Sequence, residues 1–148
     1  MREETLLPVD HIQITVRDIV TAEAFYDRLM PILGYDLSDK ISAQIPEHDL
    51  YVVEYLHPKM DFGICSPREI FRGDVVHRRK PGAIHHIAFR ATNRDHVDAL
   101  YGQIKEISGV NILDRPRIYE EHGPDYYALF FKDPDGIKFE IVYNKPLK

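Results

Sequence analysis

Two stretches decide the fold: VDHIQITVRDIVTAEAFYDRLMPILGYDL, Val9–Leu37, and IHHIAFRATNRDHVDALYGQIKEISGVNI, Ile84–Ile112. They superimpose without a gap at an offset of 75 positions (86 − 11 = 75). His11 falls on His86, Ile12 on Ile87, Ala24 on Ala99, Tyr26 on Tyr101, Leu29 on Ile104 and Gly34 on Gly109. An internal repeat dictates architecture, because each copy adopts the same local structure and must bury its apolar face against a neighbour. Here the repeat also sets two imidazoles in equivalent places.

Each copy opens with alternation. Ile12, Ile14 and Val16 take one face while His11, Gln13 and Thr15 take the other; over His85 to Arg90, Ile87 and Phe89 oppose His86, Ala88 and Arg90. A period of two is a half-buried strand, so both repeat histidines lie opposite the apolar face. A helix follows in each copy, with Asp18 and Asn93 as N-caps. Ala22, Phe25, Tyr26 and Leu29 recur at helical spacing in the first; Val97, Leu100, Tyr101, Ile104 and Ile107 do so in the second. Pro31 disfavours helical geometry at Met30, and Gly34 suits the turn beyond it.

Three short strands are expected after each helix: near Tyr35–Ser42, Leu50–Leu56 and Asp61–Cys65, then near Val110–Ile118, Tyr126–Lys132 and Ile137–Tyr143. Asp133-Pro134-Asp135-Gly136 is a turn between the last two. The expectation is therefore α+β: two β-α-β-β-β modules, 6–66 and 83–144, joined by a crossing linker, 67–82, in a single domain spanning 1–148. Two half-size modules need a shared core. They would combine into one curved, eight-stranded mixed sheet, with helices outside and polar residues lining the concavity.

Bulk properties narrow the function. A formal charge of −5 argues against nucleic acid as the partner. One cysteine, Cys65, precludes an internal disulfide and fits a reducing compartment. MREETLL carries no signal-peptide core and no stretch is apolar enough for a membrane span, so the cytoplasm is the expected location. Arg78-Arg79-Lys80 reads as a solvated linker segment, with recognition of an anionic substrate as the second reading.

A third chemical group joins the two histidines. On the last strand Phe139, Ile141 and Tyr143 share one face, and Glu140 lies with Val142 on the other. A carboxylate between apolar neighbours is costly to bury unless paired or coordinated. His11, His86 and Glu140 form a two-histidine, one-carboxylate set suited to Fe, Mn, Ni, Co or Zn, with open positions for substrate. His85 is the competing ligand beside His86, and an Arg90–Glu140 ion pair is the alternative that would leave a metal-free cleft. Tyr127 and His122 are candidates for proton transfer; Gln13, Thr15 and Arg90 are candidates for lining the pocket. Glu54 could share that concavity, whereas His48, His57, His77 and His96 read as surface residues.

With these residues in view, the chain resembles the vicinal-oxygen-chelate superfamily, which includes glyoxalase I, methylmalonyl-CoA epimerase, extradiol dioxygenases and fosfomycin- and bleomycin-resistance proteins. The resemblance runs over Val9–Tyr143. It rests on V-D-H-I at Val9–Ile12, A-F-Y at Ala24–Tyr26, L-G-Y at Leu33–Tyr35, H-H-I-A-F at His85–Phe89 and F-K-D-P-D-G-I-K-F-E-I at Phe131–Ile141. It implies paired modules around a metal-bearing cleft, with ligands at His11, His86 and Glu140, a small oxygenated substrate and usually a homodimer. Dioxygenase or lyase/isomerase chemistry is implied, with metal-free sequestration of a small molecule as the alternative. One departure stands out. Four-ligand members carry Glu or Gln on the last strand of the first module, where this chain has Gly63, or Cys65 under the strict offset (140 − 75 = 65).

Overall fold

A computed structural model describes residues 8–145; the reading of Met1–Leu7 lies outside them. The first module holds β1 (His11–Thr15), α1 (Ile19–Ile32), β2 (Ile41–Ile45), β3 (Leu50–Tyr55) and β4 (Asp61–Cys65). The second holds β5 (Ile87–Arg90), α2 (Arg94–Ile104), β6 (Asn111–Ile118), β7 (Tyr127–Lys132) and β8 (Lys138–Tyr143). This is the α+β pair of β-α-β-β-β units that the repeat requires. The eight strands hydrogen-bond as two four-stranded sheets, ordered β1-β4-β3-β2 and β5-β8-β7-β6. In each sheet the first strand runs parallel to the last, and the other pairings are antiparallel.

Local chemistry sets the element ends. The Asp18 carboxylate accepts the Thr21 amide at 2.8 Å, and Asn93 Oδ1 accepts the His96 amide at 2.7 Å, so both helices start at their expected caps. Pro31 does not stop α1 at Met30. The helix runs on to Ile32, and the backbone then turns through Gly34 at φ +100°, with the Tyr35 amide returning to the Met30 carbonyl. Pro31 is the penultimate residue of the helix, so its missing amide removes only one bond of the final turn. The strand expected near Tyr35–Ser42 begins later, at Ile41. Asp36 caps a short 3₁₀ turn over Leu37–Asp39 instead, accepting the Ser38 amide at 2.9 Å.

The apolar faces of both sheets meet in one core. Tyr26 of α1 is fully buried, with its ring 5.3 Å from Phe62 of β4 and 6.0 Å from Phe139 of β8. Phe62 and Phe139 are themselves 6.2 Å apart. Rings this close fix how the modules sit: the apolar faces are turned toward one another, and the polar face of each sheet is turned away from the junction. Each helix lies on the apolar face of its own sheet, and α1 reaches across to the second module. There the Tyr26 hydroxyl donates to the buried Asp133 carboxylate at 2.6 Å. At the edge of the same junction the Arg17 amide donates to Asp135 at 2.7 Å.

Candidate functional site

Glu140 is the centre of the polar face of the second sheet. It sits on β8 opposite Ala88 of β5 and Phe130 of β7, and only 1% of it is exposed. Its two oxygens have separate partners. Tyr126 donates its hydroxyl to Oε1. Burial, with the carboxylate beside it, pushes the Tyr126 phenol well above its ordinary range, so it remains a proton donor at any working pH. Oε2 lies 3.3 Å from His86 Nε2. His86 Nδ1 is in turn 2.8 Å from His85 Nδ1. Burial and the neighbouring His86, Arg78 and Lys138 lower the His85 pKa, which favours a neutral His85. The contact with His85 orients the ring of His86.

Aromatic rings surround this centre. The Phe130 ring lies 6.4 Å from His86 and 5.0 Å from Tyr119, and the His122 ring lies 5.1 Å from Tyr126. Arg117 stacks 3.8 Å over Tyr119, and Lys138 stands 4.5 Å over Phe130. An apolar floor with cations at its edges and one buried carboxylate is a surface for a flat or oxygenated small molecule.

His11 lies on the other polar face. It shares a cavity of about 150 Å³ with Gln13, Glu54, Asp61 and Gly63. Its Nδ1 is 2.6 Å from Asp10, which raises its pKa, with Asp61 and Glu54 adding smaller effects. Thus the structure brings His86 and Glu140 together but not His11. Among the described residues no group of three or more His, Cys, Asp or Glu side chains is gathered for an ion.

The remaining candidates divide. His122 adjoins Tyr126, on the Glu140 side. Tyr127 points to the opposite, helix-bearing face, where it donates to Asp98 at 2.6 Å with Arg94 5.6 Å from its ring centre. Tyr126, its sequence neighbour, reaches Glu140 instead. Parity could have identified it: Tyr126, Ala128 and Phe130 share one face, and Phe130 is the register partner of Glu140. Arg90 is exposed opposite Val142, two residues beyond Glu140, and the ion pairs found do not include an Arg90–Glu140 contact among the described residues. The Thr15 hydroxyl is 3.4 Å from Cys65 Sγ.

Register also decides the vacant ligand position. Ile12 pairs with Phe62 as Ile87 pairs with Phe139, so Gly63 is the counterpart of Glu140, not Cys65. A side chain at Gly63 would meet Gln13 Cγ at 3.3 Å, so Gln13 lies over the position a ligand would use. Glu54 faces Gly63 from the adjacent strand.

Comparison with known proteins agrees with this fold. A family model described as Glyoxalase/Bleomycin resistance protein/Dioxygenase superfamily matches residues 9–141. Uncharacterized protein YqjT of Bacillus subtilis is 30% identical over 134 residues, covering 89% of this chain and 95% of that protein. Human mitochondrial methylmalonyl-CoA epimerase is 29% identical, covering 90% of this chain and 72% of the epimerase. The 2,2',3-trihydroxybiphenyl dioxygenase of Sphingomonas paucimobilis is 24% identical, and the match covers 90% of this chain but 40% of that enzyme. Among solved structures, a candidate glyoxalase from Bacillus halodurans matches with a TM-score of 0.70 at 32% identity, covering 90% of this chain and 93% of that one. Among the described residues no helix is long and apolar enough to cross a membrane.

Proposed function

Because the chain belongs to the glyoxalase/bleomycin resistance protein/dioxygenase superfamily, we propose that it is a divalent-metal enzyme acting on a small oxygenated substrate, as a dioxygenase or a lyase/isomerase. The observation that carries this reading is the His86–Glu140 pair, an imidazole nitrogen and a buried carboxylate oxygen 3.3 Å apart. Two donors each about 2.1 Å from one ion at a tetrahedral angle stand about 3.4 Å apart, so the pair fits a shared metal. The third donor, His11, lies on the polar face turned the other way. The set closes when the first module of one copy covers the second module of another, which makes a homodimer part of the proposal. Fe, Mn, Ni, Co and Zn all suit two imidazoles and a carboxylate.

A metal bound there would polarise substrate oxygens. The chain's own groups do the rest. Tyr126 holds Oε1 of Glu140, and His85 holds Nδ1 of His86, so each donor atom is aimed before anything binds. The ring cluster of Tyr119, Phe130 and Tyr126 excludes water from the floor, and His122 stands where it can exchange a proton with a bound molecule. A cytoplasmic enzyme is consistent with the single thiol.

A mixing experiment tests the reading. His11→Ala and Glu140→Gln are each expected to bind no metal by elemental analysis. Unfolded together and refolded as a mixture, the two variants form some mixed dimers in which one site has all three donors, and metal binding returns in part. Metal that survives either substitution, or none in the wild type after incubation with all five ions, overturns it. The second reading, a metal-free sequestering protein, rests on the separation of His11 from His86 and Glu140 within one chain; it expects small-molecule binding indifferent to chelator.

A further inference from the structure

The linker lines a cavity of about 320 Å³ between Gln13–Thr15 of β1, the segments Val76–Arg78 and Gly82–Ile84, and Gly136–Ile137 just before β8. Its volume is at the small end of ligand pockets, which hold about 300–1,000 Å³. Of the three consecutive cations, Arg79 and Lys80 are exposed, whereas Arg78 lines the cavity. Arg78 Nε is buried and has no hydrogen-bond partner among the described residues. A buried guanidinium N–H without an acceptor is an unfavourable arrangement that an incoming anion would relieve.

The strand edge adds donors. β1 is the outer strand of its sheet, and its even-numbered residues bond to β4: the Asp10 carbonyl accepts from Asp61, and the Val16 amide donates to Cys65. In a parallel strand, alternate residues direct both backbone groups to the same side. The amides of Gln13 and Thr15 therefore face the free edge, where the cavity is, as the Arg17 amide does toward Asp135. Two residues that line the cavity adjoin the Glu140 centre along the chain. Ile84 lies two residues before His86, and Ile137 lies three residues before Glu140.

We propose that this cavity binds the anionic group, a carboxylate or a phosphate, of a small substrate whose reacting part lies at His86 and Glu140, with Arg78 as the anchor and the β1 edge amides of Gln13 and Thr15 as additional donors. The assignment of the anion to a substrate rests on the enzyme reading above; the anion site itself does not.

Binding of inorganic phosphate and of glycolate, with ethylene glycol as the uncharged counterpart, is measured by calorimetry and amide chemical-shift changes on chelator-treated protein at physiological salt. Chelation keeps any metal from taking the anion. At least one of the two anions is expected to bind, shifting the Gln13 and Thr15 amides, and which one binds names the group. Arg78→Met weakens it at least tenfold; Arg78→Lys, which keeps the charge, gives an intermediate loss and guards against misfolding. Arg79→Met, removing an exposed charge beside it, changes affinity less than twofold, since exposed charges are screened at this salt. No binding of either anion, equal binding by ethylene glycol, full binding by Arg78→Met, or an equal loss in Arg79→Met overturns the proposal. Glu140→Gln separates the two readings, because it abolishes metal binding while the chelated variant still takes the anion.

Discussion

At the residue scale the informative contrast is between Tyr126 and Tyr127, adjacent and identical in type. One donates to the buried Glu140, the other to exposed Asp98. Tyr126→Phe removes the donor from a buried carboxylate oxygen and is expected to lower stability by about 1–3 kcal/mol, with weaker metal retention. Tyr127→Phe removes a bond at the surface and is expected to lower it by less than about 1 kcal/mol. Thermal melts and elemental analysis of the pair check both; equal effects would mean that Glu140 does not depend on Tyr126. The sequence made Glu140 legible because a lone carboxylate on an apolar strand demands an explanation. It did not separate the two tyrosines, since the face of β7 that meets Glu140 follows from its register with β8, which periodicity alone does not give.

Elements were legible where a residue type forces the geometry. Asp18 and Asn93 cap their helices because their oxygens satisfy amides that the helix leaves open. Asn93→Ala is expected to cost about 1 kcal/mol, read from urea midpoints; a cost near zero would show that packing alone holds the start of α2. The β2 strand was misplaced because Asp36 starts a turn that competes with extension, and apolar content alone does not reveal this. The ligand position opposite Glu140 stayed open between Gly63 and Cys65 for another reason. The ungapped offset holds over the first strand and helix but shifts by two residues by the last strand (140 − 63 = 77 against 75), because loops between repeats differ in length.

The mutual placement of the modules at the scale of the whole molecule was not written in the periodicity. An apolar strand face looks the same whether it meets a helix, a second sheet or both. Beside the shared apolar core, the halves are coupled by a buried hydrogen bond, Tyr26–Asp133. Burial raises the Asp133 carboxyl from 3.8 to about 6. The folded protein thus binds the proton more tightly than the unfolded chain, so this contribution to stability is full below about pH 4 and is lost as pH rises through about 6. A shift of this size corresponds to about 2–3 kcal/mol. In Asp133→Asn, Oδ1 can still accept the Asp135 and Ile137 amides that Asp133 Oδ1 accepts, while the titrating proton is gone. Its stability, measured by urea unfolding between pH 4 and 7, is expected to lack the decline seen in the wild type; parallel curves would remove Asp133 from the pH response.

The joining of both apolar faces in one interior has a further consequence, for divergence. His11, Gln13, Gly63, His86, Ala88 and Arg90 all lie outside that interior cluster. Apart from the buried Glu140 and its donor Tyr126, folding and chemistry are therefore inherited through different residues. A lineage can exchange one donor for another on an outward face and keep its melting temperature, so that new substrates arise on a scaffold that does not register the change.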